Sequence, residues 1–301
     1  MISFSTGILA TRPRFLPITL LGCLMGFLDT YRLATQSGLI NTFAIIILLI
    51  THASANVLND YYDDLNGSDL NNVERISPFT GGSRLIQTQA LSVMQTKALG
   101  WCLLNLAIVL GLYLCYLTTW KLIPIGILGI LIAWSYSAPP LQLMSRGILG
   151  EIAVAIAWSL VVIGYALLQT GFIEYNSLLI AIAYGLIVAN ILFLNQVPDI
   201  KADQSAHKNT LATQSAPTGL WKWYLTIFVG AYLCQFVAIY CHQTNSLTLL
   251  TILAFPAFGS CALKLKKSPL DRSALKKIIP RNILGAHLYA LLMCAGLFWG
   301  R

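Results

Sequence analysis

The chain has 301 residues, of which 57% are hydrophobic and 10% charged, and its mean hydropathy is +0.72. Soluble domains carry about 25% charged residues, so this composition excludes one and predicts an all-α polytopic membrane protein. The net charge of +8 then describes one face of a membrane-embedded chain, attracted to anionic lipid and anionic substrates, and is no argument for nucleic acid.

In chain order, apolar stretches long enough to cross about 30 Å of hydrocarbon fall at 15–33, 38–58, 97–117, 120–138, 148–169, 176–196, 222–241, 246–264 and 281–299. Nine transmembrane helices are expected. Arg12, Pro13 and Pro17 interrupt the first apolar stretch, so no cleavable signal peptide is expected. Lys and Arg accumulate in cytoplasmic loops. With the N-terminus inside, sixteen of the nineteen cations lie on that side, leaving Arg32, Lys121 and Arg301 outside. An integral protein of the inner (plasma) membrane follows, in contact with membrane lipid and with its polar segments facing the cytoplasm.

The second span runs into "NVLNDYYDDLNGSD" at 56–69, where Asn56, Asn59, Asp60 and Asp63 follow an i, i+3, i+4, i+7 pattern and share one helical face. Gly67 and Ser68 are expected to break that helix. Between spans four and five, "YSAPPLQLMSRGILGE" at 136–151 places Tyr136 and Arg146 on the same side; Tyr136 also reads as an interfacial anchor. After span six, "NQVPDIKAD" at 195–203 puts Asn195, Asp199 and Asp203 at steps of four, again one face, although Pro198 can kink or end the helix.

Seven of the eleven carboxylates fall within 60–74 and 199–203. Like charges on one face at a membrane edge repel and lose hydration, so a bound cation is expected to offset them. Oxygen donors from Asp and Asn suit magnesium, which commonly joins a few carboxylates to substrate phosphates. One such cluster reads equally as solvated loop acids. Two of the same shape, four spans apart, read as a clamp on a diphosphate. Arg75 and Arg84 after the first cluster, and Lys201 and Lys208 after the second, can hold diphosphate oxygens, or can be ordinary positive-inside charges.

An N-x-x-x-D-x-x-x-D pattern at Asn56/Asp60/Asp64 and Asn195/Asp199/Asp203 hints at a repeat within one domain, 1–301. The halves are roughly 12–138 and 148–264, followed by a last helix at 281–299. The seven cysteines are scattered without a C-x-x-C pair, so neither zinc nor disulfides are expected. The four histidines show no ligand spacing; His52 sits within span two and reads as a packing residue or a cavity residue.

Taken together, "RPRFLP" (12–17), "NDYYDDLNGSD" (59–69), "SPFTGGSRLI" (77–86), "YSAPPLQL" (136–143), "RGILGE" (146–151) and "NQVPDIKADQSAHKNTLAT" (195–213) resemble the UbiA superfamily of intramembrane prenyltransferases. The similarity is greatest to the 1,4-dihydroxy-2-naphthoate branch of menaquinone-type quinone biosynthesis. The resemblance implies nine helices around a central cavity, with two Asp-rich motifs binding an isoprenyl diphosphate through Mg2+ and an aromatic acceptor prenylated beside it. By that likeness the first motif falls on Asn59, Asp63 and Asp69 with Asp60 beside them, and the second on Asn195, Asp199 and Asp203. Lys208 matches the lysine after the second motif and Arg12 the arginine before the first span. On this reading the expected metal ligands are Asp60, Asp63, Asp69, Asp199 and Asp203, aided by Lys208 and Arg84, and Arg12 or Arg146 is expected to hold an acceptor carboxylate and Tyr136 to line the cation pocket. Position 67 is Gly and the later acid is Asp69, the spacing of the naphthoate branch, whereas "HKNT" at 207–210 has Asn209 where relatives carry arginine.

A secondary transporter shares intramembrane acids and repeated halves, but its acids gather near the bilayer midplane, whereas these crowd one mouth and are followed by cations. A catalytically silent scaffold has no use for both acidic faces. A CDP-alcohol phosphotransferase needs a D-G-x-x-A-R signature that the sequence lacks.

Overall fold

A backbone in hydrocarbon must satisfy its own N–H and C=O groups, which a helix does within one segment. The computed structural model, which describes residues 2–300, is helical along every apolar stretch; Arg301 lies outside the described residues. The principal helices are α1 (Pro17–Asp29), α2 (Gly38–Leu65), α3 (Val93–Leu117), α4 (Ile123–Ser135), α5 (Leu149–Thr170), α6 (Asn176–Gln196), α7 (Leu220–Tyr240), α8 (Phe255–Lys267) and α9 (Arg272–Trp299).

Among the described residues, seven helices are long and apolar enough to cross a membrane, while Pro17–Asp29 and Trp120–Ser135 are shorter. The expected segments 15–33 and 120–138 are therefore trimmed. Pro17 and Pro124 lie in first turns, where proline can begin a helix but not continue one back toward the N-terminus. The 13 residues of α1 rise only about 20 Å.

Local chemistry sets the starts. Ser37 accepts from Ile40 N–H ahead of α2, and Ser92 with Gln95 forms a capping box ahead of α3, so backbone donors without intrahelical partners are engaged. Pro198 does not end the sixth span. It tightens Val197–Asp199 into a 3-10 turn, and the helix resumes over Ile200–Ser205.

Helix α2 packs on α3, α5 on α6, and α6 on α7, while α1 lies against α5 and α9. The segment Asn176–Ser205 is the most buried of the seven. Small residues permit these approaches: a Cβ on Gly185 of α6 would collide with the Ala155 carbonyl of α5, and one on Gly26 of α1 with that of Val162. At the acid-bearing end, Arg146–Gly147 pairs in parallel with Asn209–Thr210, tying the loop before α5 to the loop that carries Lys208.

Candidate active site

A cavity of about 620 Å3 runs between α1, α2, α3, α4, α5, α6 and α9. Its deeper wall is largely aliphatic, including Ile47, Leu48, Leu112, Ile127, Leu131 and Val161, and its mouth is polar.

At that mouth the α2 face divides. Asn56, Asn59 and Asp63 line the cavity. Asn56 Nδ2 donates to the Thr11 carbonyl at 2.9 Å, and Asn59 Nδ2 donates to Asp63 Oδ2 at 3.0 Å. Asp60, one residue round the helix, is not among the lining residues; it pairs with Arg12 and accepts the Ser83 N–H at 3.2 Å. Arg12 also donates to Asn59 Oδ1 at 3.1 Å, so one guanidinium organises both side chains.

From the sixth span, Asn195, Asp199 and Asp203 all line the cavity, because the 3-10 turn at Pro198 keeps them on one side. Lys208 joins the two faces. Its Nζ donates to Asp63 Oδ1 at 2.8 Å and lies 3.7 Å from Asp203 Oδ1, with its side chain 10% exposed. Burial opposes the ammonium charge, yet Asp63 and Asp203 hold its pKa above the usual lysine value.

The short helix Ser68–Asn71 adds Asp69 to the mouth. Burial, then Asp63 and Asp60, push its carboxyl up to about 7, against the opposing pull of Arg12 and Lys208. Asn72 Nδ2 donates to Asp199 Oδ1 at 2.7 Å. The loop at 80–83 closes over these acids. Gly81 and Gly82 have φ of +71° and +70°, a region that side chains disfavour, and a Cβ on Gly82 would strike the Asp69 carboxylate and lie 3.1 Å from Asp60 Oδ1.

The remaining cations named from the sequence point elsewhere. Arg84 donates to the Asp69 carbonyl, Arg75 abuts Gly81, and Arg146 is exposed and donates to the Pro140 carbonyl at 2.7 Å. Lys201 pairs with Glu74 at 2.8 Å on the surface, 75% exposed. None of these four lines the cavity, whereas Arg12, Lys208 and Tyr136 do. Asn72, Gly81 and Gly82 were not singled out in the sequence; the double glycine, a turn signal, was their one visible trace.

Among the described residues no three carboxylate, histidine or cysteine side chains converge as a closed metal centre. The mouth nonetheless fits magnesium. Its donors are hard oxygens on two facing helices, and magnesium takes few protein ligands when phosphate and water complete its shell. In addition, Asn72 Oδ1 and Asn195 Oδ1 are buried there with no partner among the described residues, and such acceptors are costly unless a donor or cation reaches them.

A nearly all-helical membrane fold encloses an apolar cavity with a charged, cation-seeking mouth, the arrangement of an intramembrane enzyme. The chain belongs to the UbiA prenyltransferase family, whose profile matches residues 9–294, and it is a prenyltransferase. It is 28% identical over 299 residues to the 1,4-dihydroxy-2-naphthoate octaprenyltransferase of Haemophilus influenzae, covering 96% of this chain and 94% of that one. Against the Mycobacterium leprae protein of the same name it is 27% identical, covering 92% and 87%. Among solved structures, a digeranylgeranylglyceryl phosphate synthase superposes with a TM-score of 0.68 at 14% identity, covering 99% of each chain. A UbiA homolog from Archaeoglobus fulgidus bound to GPP and Mg2+ gives 0.64 at 14% identity, covering 95% of this chain and 99% of that one.

Proposed function

We propose that the protein transfers a polyprenyl group from an isoprenyl diphosphate to 1,4-dihydroxy-2-naphthoate, in a magnesium-dependent reaction at a cytoplasmic mouth in the inner membrane. The observation that carries this reading is the meeting of two acidic faces across one cavity mouth, joined by Lys208. The names of the curated relatives support the acceptor. The two halves, 12–138 and 148–264, each supply one acidic face, in keeping with a duplicated four-helix unit inside a single domain.

Magnesium held by Asp63, Asp69, Asp199 and Asp203 would neutralise the diphosphate and favour its departure. Lys208 and Arg12 place fixed positive charge where negative charge grows as the allylic C–O bond breaks. Asn59 Nδ2 holds Asp63 in place, and Asn195 offers its oxygen, unpartnered among the described residues, at the same mouth. The aliphatic wall binds the prenyl chain and excludes water from the allylic carbon until the electron-rich, carboxylated ring carbon of the acceptor attacks. Diphosphate leaves the prenyl carbon, and the ring then loses carbon dioxide and a proton. Tyr136 borders the same space.

Purified protein in detergent, supplied with magnesium and a labelled prenyl diphosphate, tests this with 1,4-dihydroxy-2-naphthoate and 4-hydroxybenzoate in parallel. Magnesium-dependent product with the naphthoate alone is expected. Product with the benzoate alone would overturn the acceptor, and none with any ring would overturn the reading.

A further inference from the structure

Two helical turns below the acids, the cavity wall carries a polar group that the diphosphate chemistry does not use. His52 precedes Asn59 by seven residues on α2, about 10 Å along the axis. Its Nδ1 is hydrogen-bonded to Thr19 Oγ1 of α1 at 2.8 Å. Its ring meets Trp158 of α5 edge-on, with centroids 5.0 Å apart and planes at 90°. All three residues line the cavity.

Three other polar side chains that line the deeper cavity are engaged within the protein. Thr51 donates to the Ile47 carbonyl, Tyr165 donates to Asn41 Oδ1, and His287 Nδ1 contacts the Ile283 carbonyl. Trp158 Nε1 is buried and has no partner among the described residues. His52 uses only Nδ1 there. A buried donor is costly to leave unpaired, so a ligand oxygen delivered to it recovers that cost. A prenyl chain consists of carbon and hydrogen and cannot accept the bond. A hydroxylated aromatic ring can.

We propose that Thr19, His52 and Trp158 form the recognition subsite for a hydroxyl of the aromatic acceptor. Trp158 Nε1 donates to the hydroxyl oxygen. His52, whose Nδ1–H donates to Thr19, accepts the hydroxyl proton's hydrogen bond at Nε2. Thr19 is a positioning residue, fixing the tautomer and the ring angle. This rests on the aromatic-acceptor reading above and adds that the subsite selects acceptors by a ring hydroxyl. A site built to bond a hydroxyl discriminates strongly against rings that lack it.

The test is steady-state kinetics of the full-length protein with magnesium, varying each substrate in turn. The acceptors are 1,4-dihydroxy-2-naphthoate and the two monohydroxy naphthoates. Trp158→Phe, which keeps the ring and removes the N–H, is expected to raise KM for the dihydroxy acceptor about tenfold, with KM for the prenyl diphosphate unmoved. For one monohydroxy ring, wild type and variant should agree within about twofold. Thr19→Val should shift acceptor KM in the same direction, and it carries the test if Trp158→Phe does not fold. An acceptor KM within about twofold of wild type, or an equal rise for both substrates, overturns the subsite while leaving the prenyltransferase reading intact. If wild-type protein prenylates no aromatic ring, both readings fall.

Discussion

Replacing Lys208 with methionine keeps most of the side-chain volume but removes a buried ammonium that contacts Asp63 at 2.8 Å and Asp203 at 3.7 Å. Removing one partner of a buried ion pair costs about 3–5 kcal/mol, because the other charge stays behind unpaired. With an unfolding entropy of about 2.1 cal/mol/K per residue, a 301-residue chain has about 0.6 kcal/mol/K in total. The variant's Tm should therefore fall by about 5–8 °C. The assay is thermal unfolding in detergent with chelator and then with magnesium. Chelator should show the full loss, and magnesium should raise the variant's Tm by more than it raises wild type's, since a divalent cation offsets the same carboxylates. A Tm within 1 °C of wild type in chelator would refute the reasoning, because Lys208 would then not be what holds the two acidic faces together.

Asp199→Ala should leave an inserted, monodisperse protein and lower kcat at least about 100-fold, the scale for losing a charge-stabilising group; wild-type turnover would count against the clamp. Gly82→Ala forces a side chain into left-handed backbone, at about 1–2 kcal/mol, and against Asp69, so the magnesium concentration for half-maximal activity should rise; an unchanged titration would show that the loop does not shape the site. Lys201→Ala removes an exposed pair and should shift stability by less than about 0.5 kcal/mol, with transfer at the wild-type rate in the same assay. Asp69 has a folded pKa raised to about 7 against about 3.9 unfolded. Its contribution is therefore fully present below about pH 4 and lost as pH rises through about 7; in metal-free protein, Tm should fall over that window, and magnesium should restore more at pH 8 than at pH 5.5.

Helices and acids were legible for different reasons. Continuous apolar runs can only be helices in lipid, so every stretch named from the sequence is helical in the structure, and the errors lie at the ends. Helix α1 stops at Asp29 rather than 33, α2 runs on to Leu65 rather than 58, and α9 begins at Arg272 rather than 281. The acids stood out because charge is rare in this chain. Periodicity alone could not divide them: Asp60 and Asp63 share a broad face, and only the tertiary position of Arg12 and Ser83 turns Asp60 toward the loop while Asp63 enters the cavity. Nor could it aim the cations: Arg84 and Lys201 follow an acidic cluster as Lys208 does, and Arg146 lies in the polar segment between spans four and five, yet all three find partners outside the cavity. The role of Gly82 depends on a carboxylate thirteen residues earlier in the chain, Asp69, and is visible only once the loop has folded back. Pro198 read as a kink or an end of the helix; a single 3-10 turn absorbs it and preserves the acidic face.

The central claim is that facing carboxylates from α2 and the sixth span grip one prenyl diphosphate through magnesium. The most direct measurement is equilibrium binding of a non-reactive prenyl thiolodiphosphate to purified wild-type, Asp63→Asn and Asp199→Asn proteins, with magnesium and with chelator. The account predicts saturable binding by wild type that chelator abolishes and that each substitution weakens at least about tenfold, one from each face. Tight binding in chelator, or binding that either substitution leaves unchanged, would contradict it.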